Sequence, residues 1–177
     1  MEEKDVIALY LELKKFGIRV WIDGGWGVDA LLEEQTRWHK DLDIVILQED
    51  LSIFRHLLFQ MGFREIRLEI ARSHNFVLGD NDNREIDVHV IELNDKGDGI
   101  YGPKENCEIY PAASLTGKGK IRNIEVECIS AIYAVKFHSG YKLHEKDYHD
   151  VIAICKKFDL EKPTNLVPYQ AAKYYIQ

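Results

Sequence analysis

Residues 37–46 read RWHKDLDIVI, in which a basic and aromatic run leads into two aspartates at the head of an apolar stretch. Side chains alternate along an extended strand, so Asp41 and Asp43 share one face while Leu42 and Ile44 point into the core. The Cα atoms of the two aspartates are then roughly 6.5–7 Å apart, and their carboxylates can converge on one cation. Solvated surface acids are the alternative interpretation of this motif taken alone.

The spacing of apolar residues predicts alternating helices and strands along the rest of the chain. Helices are expected over residues 3–16, 26–35, 51–61, 130–139 and 147–158. Strands are expected over residues 18–23, 41–47, 64–70, 74–78, 84–93 and 121–129. Residues 94–120 hold seven glycines and prolines and are expected to form long connections.

Several of these strands follow one another without an intervening helix, which argues against an all-parallel sheet. The pattern therefore predicts an α/β (α+β) fold, with a mixed, twisted sheet flanked by helices. We expect a core over residues 1–128 and a C-terminal helical extension, residues 129–177, packed on the same unit.

Composition indicates an ordinary globular chain, because 46% of the 177 residues are hydrophobic and 30% are charged. The N-terminus is acidic and no apolar run approaches ~18 residues, so neither a signal peptide nor a membrane span is expected. The widely spaced Cys107, Cys128 and Cys155 fit neither a disulfide framework nor a zinc site, which predicts a cytoplasmic protein with free thiols.

Charge is unevenly distributed along the chain. The first 100 residues hold 12 lysines and arginines against 21 aspartates and glutamates, whereas the remaining residues hold 11 against 9. An acidic portion of this size would repel a phosphate backbone, which argues against a nucleic-acid partner. It suits bound metal cations or a positively charged small substrate, although acids spread for solubility are the alternative.

A third acid, Asp87, lies within the predicted strand EIDVHV (residues 85–90) and shares a face with His89. An acid inside an apolar strand is unfavourable unless a partner compensates it. Asp87 could complete a metal site or act as a general base. An internal ion pair with Arg84 or Arg72 is the alternative.

The stretch WIDGGWGVD, residues 21–29, combines a strand end, Gly24-Gly25 and a helix start. Such a turn lets backbone N–H groups approach a phosphate at the positive end of the helix dipole. A simple tight turn would explain the glycine pair alone. The order of this turn, then D-x-D, then a third acid is much more specific.

That order resembles the nucleotidyltransferase superfamily that includes DNA polymerase β. The closer resemblance is to lincosamide nucleotidyltransferases, with aminoglycoside 2″-nucleotidyltransferases next, and it extends from about residue 16 to residue 155. The stretches that carry it are WIDGGWGVDALL (21–32), TRWHKDLDI (36–44), IDVHVI (86–91) and FHSGYKLHEKDYHD (137–150). The resemblance implies a nucleotidyltransferase fold, Asp41 and Asp43 as metal ligands, Asp87 as the third carboxylate, and Gly24 and Gly25 at the nucleotide phosphates.

We therefore expect a Mg²⁺- or Mn²⁺-dependent enzyme that transfers a nucleoside monophosphate, AMP from ATP first, to a hydroxyl of a small antibiotic. Lincosamides come first as acceptors and aminoglycosides second. The competing interpretation is a nucleotide-binding regulatory or toxin–antitoxin module without transfer activity. The enzyme is expected to act as a monomer or homodimer, without nucleic-acid or membrane partners.

Several further residues are weaker candidates. Arg37 and Lys40 could offset triphosphate charge, or belong to a solvated loop. His39 could orient the site or be structural. Trp21, Trp26 and Trp38 could stack on a base or drug ring, although packing is the commoner use of tryptophan. Residues of the C-terminal helices could face the acceptor or shape the pocket, namely His138, Tyr141, Asp147, His149 and Asp150.

Overall fold

The computed structural model describes residues 1–69, 71–138 and 145–163. Its α-helices are α1 (Glu3–Lys15), α2 (Gly24–Leu32), α3 (Leu51–Gln60), α4 (Ala131–His138) and α5 (Glu145–Phe158). Its strands are β1 (Val20–Ile22), β2 (Asp41–Leu47), β3 (Arg64–Ile66), β4 (Asn75–Gly79), β5 (Glu85–Leu93), β6 (Gly99–Tyr101), β7 (Glu108–Tyr110), β8 (Gly117–Ile121) and β9 (Ile124–Cys128).

One mixed sheet contains all of these strands. Its main order is β3-β4-β5-β2-β1-β9-β8, with β6 and β7 added beside the second half of β5. The β2–β5 and β1–β9 pairs are parallel, and the other pairs are antiparallel. The predicted fold class, a mixed sheet flanked by helices, is confirmed.

The central strand β2 follows the alternation expected for DLDIVIL. Leu42, Ile44 and Ile46 are almost fully buried, whereas Asp41 and Asp43 are only partly buried on the opposite face. Burial of β-branched and leucine side chains on the core face fixes the register, because a slip of one residue would place the aspartates in the core. The chemistry of the strand is therefore confined to one face.

The segment 94–120 is more ordered than its glycines and prolines predict. It contains β6, β7 and β8, and the last of these forms a hairpin with β9 rather than a single strand over 121–129. In β8, Gly117 and Gly119 face the protein interior, where there is no room for a side chain. A Cβ on Gly119 would lie 2.8 Å from the Leu31 nitrogen. Close packing, and not a turn, explains these glycines.

The C-terminal helices α4 and α5 pack against α2, and α4 follows directly after β9. The proposed division into a core over 1–128 and an extension over 129–177 stays a prediction. Among the described residues, every helix is too short or too polar to cross a membrane.

Candidate active site

The parallel pairing of β2 and β5 brings the predicted acids together. In this register Asp43 lies directly beside Asp87, and Asp41 lies beside Glu85. Since adjacent strands are about 4.8 Å apart, side chains on the same face of neighbouring positions share one site. The structure thus unites Asp41, Asp43 and Asp87, which come from separate parts of the chain, on one face of the sheet.

This cluster of like charges changes the acidity of its central member. Burial, followed by the negative charges of Asp41, Asp23 and Asp87, raises the pKa of Asp43 from 3.8 to about 7. Lys146 of α5 acts in the opposite direction. The ionised form of Asp43 therefore lacks sufficient positive charge around it, which is the condition that a bound divalent cation relieves.

Asp23 is a fourth acid at the site, and the sequence interpretation missed it. It is the N-cap of α2, where its carboxylate accepts a hydrogen bond from the Gly24 nitrogen at 2.8 Å. Its backbone nitrogen donates to the Asp43 carbonyl at 2.9 Å. The signal was present, because an aspartate before a helix start is a typical cap. The cap fixes the start of α2 beside β2.

Gly24 is the first residue of α2, at the point where this helix meets the acids. Its φ is +54°, and a Cβ there would lie 2.7 Å from Asp43 Cγ. The absence of a side chain thus permits both the backbone conformation and the close approach of the Asp43 carboxylate. Backbone N–H groups lie at the start of this helix, and their contact with a nucleotide phosphate stays a prediction.

Replacing Gly24 with alanine is expected to lower turnover by about 10²-fold or more, because the new methyl group must displace the Asp43 carboxylate. Gly62→Ala is the matched control: Gly62 also has positive φ, +93°, but among the described residues nothing beyond its chain neighbours lies within 4 Å of where its Cβ would stand. Both variants carry backbone strain of about 1–2 kcal/mol. Steady-state rates and thermal melts check this, and equal activity in the two variants would contradict it.

Asp87 is held by polar neighbours, and Arg67 acts on it only through its charge. Asn75 Nδ2 donates to its Oδ1 at 3.1 Å, and His89 Nε2 lies 3.8 Å from the same oxygen. Burial raises the pKa of Asp87, opposed by His89 and by the Asn75 hydrogen bond. The alternative ion pairs do not form with this carboxylate: Arg84 pairs with Asp80, and Arg72 donates to the Ala71 carbonyl.

His89 continues into a wall of aromatic side chains beside Asp87. Its Nδ1 shares a hydrogen bond with the Tyr110 hydroxyl at 2.7 Å, and its ring lies 5.0 Å from that of Tyr101. Phe137 of α4 contacts Tyr110 and Tyr133, with ring centroids 5.3 and 5.8 Å away. Strands β5 to β7 and helix α4 together form this wall, which no local sequence pattern predicted.

His39 has a structural partner that the sequence interpretation did not consider. Asp29 of α2 and His39 are 2% and 3% exposed, and Asp29 Oδ2 forms a short hydrogen bond with His39 Nε2. Asp29 Oδ1 also accepts from Thr36 Oγ1 at 2.7 Å. The pair anchors residues 36–40 to α2, immediately before the two aspartates of β2.

Both predicted phosphate-binding cations already form ion pairs. Arg37 Nη2 lies 2.7 Å from Asp150 Oδ2 of α5, and Lys40 Nζ lies 2.9 Å from Glu85 Oε1. Arg67 pairs with the other oxygen of Glu85. Contact of Arg37 or Lys40 with a nucleotide stays a prediction.

The remaining candidates separate into buried, exposed and undescribed residues. Trp21 and Trp26 are both 1% exposed, and Trp21 Nε1 donates to the Leu115 carbonyl at 2.7 Å, so both are packing residues. Trp38 is 68% exposed. His138 Nδ1 bonds the Ala134 carbonyl within α4. Tyr141 lies outside the described residues.

A cavity of about 520 Å³ lies away from the acids, next to the second half of β5. Gln48, the residues just before β4 and the loop after β6 surround this cavity, and they include Arg72, His74 and Lys104. None of the clustered aspartates lines it. The cavity is therefore separate from the proposed reaction centre.

The donor set of the acid cluster fits a hard divalent cation. Among residues 1–69, 71–138 and 145–163, no three side chains form a complete metal-binding group by themselves. Magnesium, however, commonly binds one or two carboxylates and takes its other oxygens from water and substrate phosphates. Two aspartates on one face, next to Gly24 and short of positive charge, match that mode.

Comparison with known proteins identifies the family of this chain. A sequence profile described as aminoglycoside-2″-adenylyltransferase matches residues 5–154. The chain belongs to the aminoglycoside-2″-adenylyltransferase family. A lincosamide resistance protein of Staphylococcus haemolyticus is 28% identical over 150 residues, which is 84% of this chain and 91% of that protein.

Solved structures agree with this adenylyltransferase assignment. The lincomycin-bound crystal structure of the lincosamide antibiotic adenylyltransferase LnuA matches with a TM-score of 0.77 and 26% identity, over 87% of this chain and 96% of that one. ANT(2″)-Ia in complex with adenylyl-2″-tobramycin shares the fold, with a TM-score of 0.65 and 20% identity over 87% and 88% of the two chains. The chain is therefore a nucleotidyltransferase by family, as the enzymatic interpretation predicted.

Proposed function

We propose that this adenylyltransferase moves AMP from ATP to a hydroxyl of a small antibiotic, with lincosamides as the first acceptor class and aminoglycosides as the second. The observation that carries the proposal is the β2–β5 register, which places Asp43 beside Asp87 next to the Gly24 turn. A phosphate turn and a set of carboxylates within one site are what nucleotidyl transfer requires.

In the proposed reaction, the acceptor oxygen forms a bond to the α-phosphorus. The bond between the α-phosphorus and the oxygen that bridges to the β-phosphate breaks, and pyrophosphate leaves. Asp41 and Asp43 would hold Mg²⁺ or Mn²⁺, which when bound offsets the charge on the entering and leaving oxygens. Backbone N–H groups at the start of α2 face the phosphates. Asp87 takes the proton of the acceptor hydroxyl.

The aromatic wall favours lincosamides over aminoglycosides. Tyr101, Tyr133 and Phe137 are each partly exposed, so they offer apolar surface to a ligand beside Asp87 and His89. A lincosamide carries an alkyl chain as well as an amine, whereas an aminoglycoside carries several amines and little apolar surface. Stacking and apolar contact with such a wall stabilise the first class more than the second.

Protein incubated with Mg²⁺, ATP and an antibiotic panel is expected to release pyrophosphate with lincosamides at a higher kcat/KM than with aminoglycosides. Addition of EDTA should abolish the reaction. Mass spectrometry of the product, with an added AMP, checks the group transferred. A Phe137→Ala variant should lose acceptor affinity while retaining that for MgATP.

Expression in sensitive bacteria provides the independent comparison, because raised resistance to one class identifies the acceptor inside the cytoplasm. Higher activity towards aminoglycosides would reverse the proposed order. No pyrophosphate with either class would indicate a different hydroxyl acceptor. The monomeric or homodimeric state is a prediction that sedimentation of the same protein measures.

A further inference from the structure

The ion pair between Arg37 and Asp150 joins the loop before β2 to helix α5. Arg37 Nη2 lies 2.7 Å from Asp150 Oδ2, and Arg37 Nε lies 3.4 Å from Asp150 Oδ1. Asp150 is 3% exposed, whereas the Arg37 side chain is 28% exposed. A guanidinium has five N–H groups, and this pairing engages one edge of it. Within residues 1–69, 71–138 and 145–163, no hydrogen bond engages the other N–H groups of Arg37, so they can reach a further acceptor.

The same guanidinium lies against the phosphate turn. A Cβ built on Gly25 would be 2.7 Å from Arg37 Nη2 and 2.5 Å from His39 Cε1. Gly25 therefore lacks a side chain for a different reason from Gly24: it leaves space for two side chains from residues 36–40. The arginine is held at the start of α2, where the helix dipole already favours an anion.

A cavity of about 400 Å³ opens beside this contact, between the loop and α5. Its lining includes Thr36, Arg37, Lys146, His149 and Asp150. Lys146 of α5 is exposed, so its ammonium group can reach a ligand in this cavity. Arg37 and Lys146 thus bring two cations to one cavity beside the loop that leads into β2, which is an arrangement that fits part of a polyphosphate.

We propose that Asp150 is a positioning residue for the nucleotide: it holds the Arg37 guanidinium against the Gly24–Gly25 turn so that its remaining N–H groups face the triphosphate. Asp150 itself does not touch the nucleotide. The inference rests on the proposed function, since it assumes that a nucleoside triphosphate binds at this turn. It assigns a role to Asp150, the last residue of the stretch FHSGYKLHEKDYHD, that the reaction chemistry alone leaves unexplained.

The test measures MgATP binding by calorimetry and steady-state kinetics in Asp150→Asn. Loss of a charge-assisted pair is expected to weaken MgATP affinity by about 10-fold. The KM for ATP should rise correspondingly, while the KM for the acceptor and kcat change little. Asp150→Glu provides a second variant that keeps the charge, but its extra methylene shifts the carboxylate and with it the guanidinium. It should therefore lose affinity for MgATP even if Asp150→Asn folds poorly.

Lys157→Met is the matched control, because Lys157 also links α5 to another part of the protein, in this case the end of α2. Its Nζ donates to the Leu32 carbonyl at 2.9 Å and lies 4.0 Å from Glu33 Oε1. A purely structural tether would make Lys157→Met and Asp150→Asn alike in melting temperature and in KM for ATP. The positioning role predicts a raised KM for ATP in Asp150→Asn alone.

A double variant tests whether Asp150 acts through Arg37. Combined with Arg37→Gln, the Asp150→Asn change should cause no further loss of MgATP affinity. An equal loss in both backgrounds, or unchanged binding by Asp150→Asn and Asp150→Glu, would overturn the inference alone. Wild-type protein that fails to bind MgATP would overturn the proposed function and the inference with it.

Discussion

Asp43→Asn is expected to lower turnover by about 10³-fold or more and, at the same time, to raise the melting temperature of the metal-free protein at pH 8. Loss of a metal ligand removes several kcal/mol of transition-state stabilisation, and each 1.4 kcal/mol is about tenfold in rate. The gain in stability has a separate cause. Asp43 lies among Asp41, Asp23 and Asp87, and the amide removes a negative charge from that group.

The sign of the pH dependence follows from the raised pKa of Asp43. The unfolded chain loses this proton near 3.8, and the folded metal-free protein retains it up to about 7. The stability of the folded state therefore decreases as pH rises through that window. The difference in melting temperature between Asp43→Asn and wild type should vanish near pH 4 and be largest above pH 7.

Thermal melts in EDTA across this pH range, repeated with added Mg²⁺, measure the effect. Magnesium should raise the melting temperature of wild type more than that of Asp43→Asn. Asp95→Asn is the control, because Asp95 is an exposed acid in the turn after β5. If Asp43→Asn were no more stable than wild type at pH 8, the negative charges of the clustered aspartates would already be compensated in the metal-free protein.

Asp87→Asn is expected to lower turnover by about 10²–10⁴-fold, the usual contribution of a general base, while MgATP still binds. The amide retains the size of the side chain and its hydrogen bond with Asn75 can re-form, but it cannot take the acceptor proton. In wild type, activity should fall on the acid side as this carboxylate protonates. Burial raises the pKa of Asp87, so that fall should lie above the ordinary value of 3.8.

Calorimetric titration with MgATP separates the two roles of Asp87. Near-native affinity with little turnover supports the general base, whereas a loss of affinity matching that of Asp43→Asn would make Asp87 a third metal ligand. Glu92→Gln serves as the control, since Glu92 is an exposed acid further along the same strand. The acid limb of the pH–rate profile should persist in the control.

Most of the helices and strands were predictable because their patterns are local. The stretch DLDIVIL forms β2 over the expected residues, and α1, α3 and β5 agree within one or two residues at each end. The prediction of a long connection over residues 94–120 was wrong. Glycines such as Gly117 and Gly119 are typical of loops, but here they lie in a strand that packs against α2. Glycine marks close packing as well as turns, and composition cannot separate the two.

Local features of the chain were sufficient to predict the fold class and the family, and to single out the three acids whose roles stay a prediction. Two of these features do not depend on how the chain packs. They are the alternation of apolar and acidic residues, and the order of turn, D-x-D and third carboxylate. Which groups meet depends instead on the folded arrangement. The parallel register places Asp43 beside Asp87, and Arg37 pairs with a residue 113 positions away in α5. The aromatic wall likewise combines strands and a helix that are distant in sequence. Such contacts depend on how the strands and helices pack around the core. That packing determines which charged and aromatic side chains face one another, and no local sequence pattern encodes it.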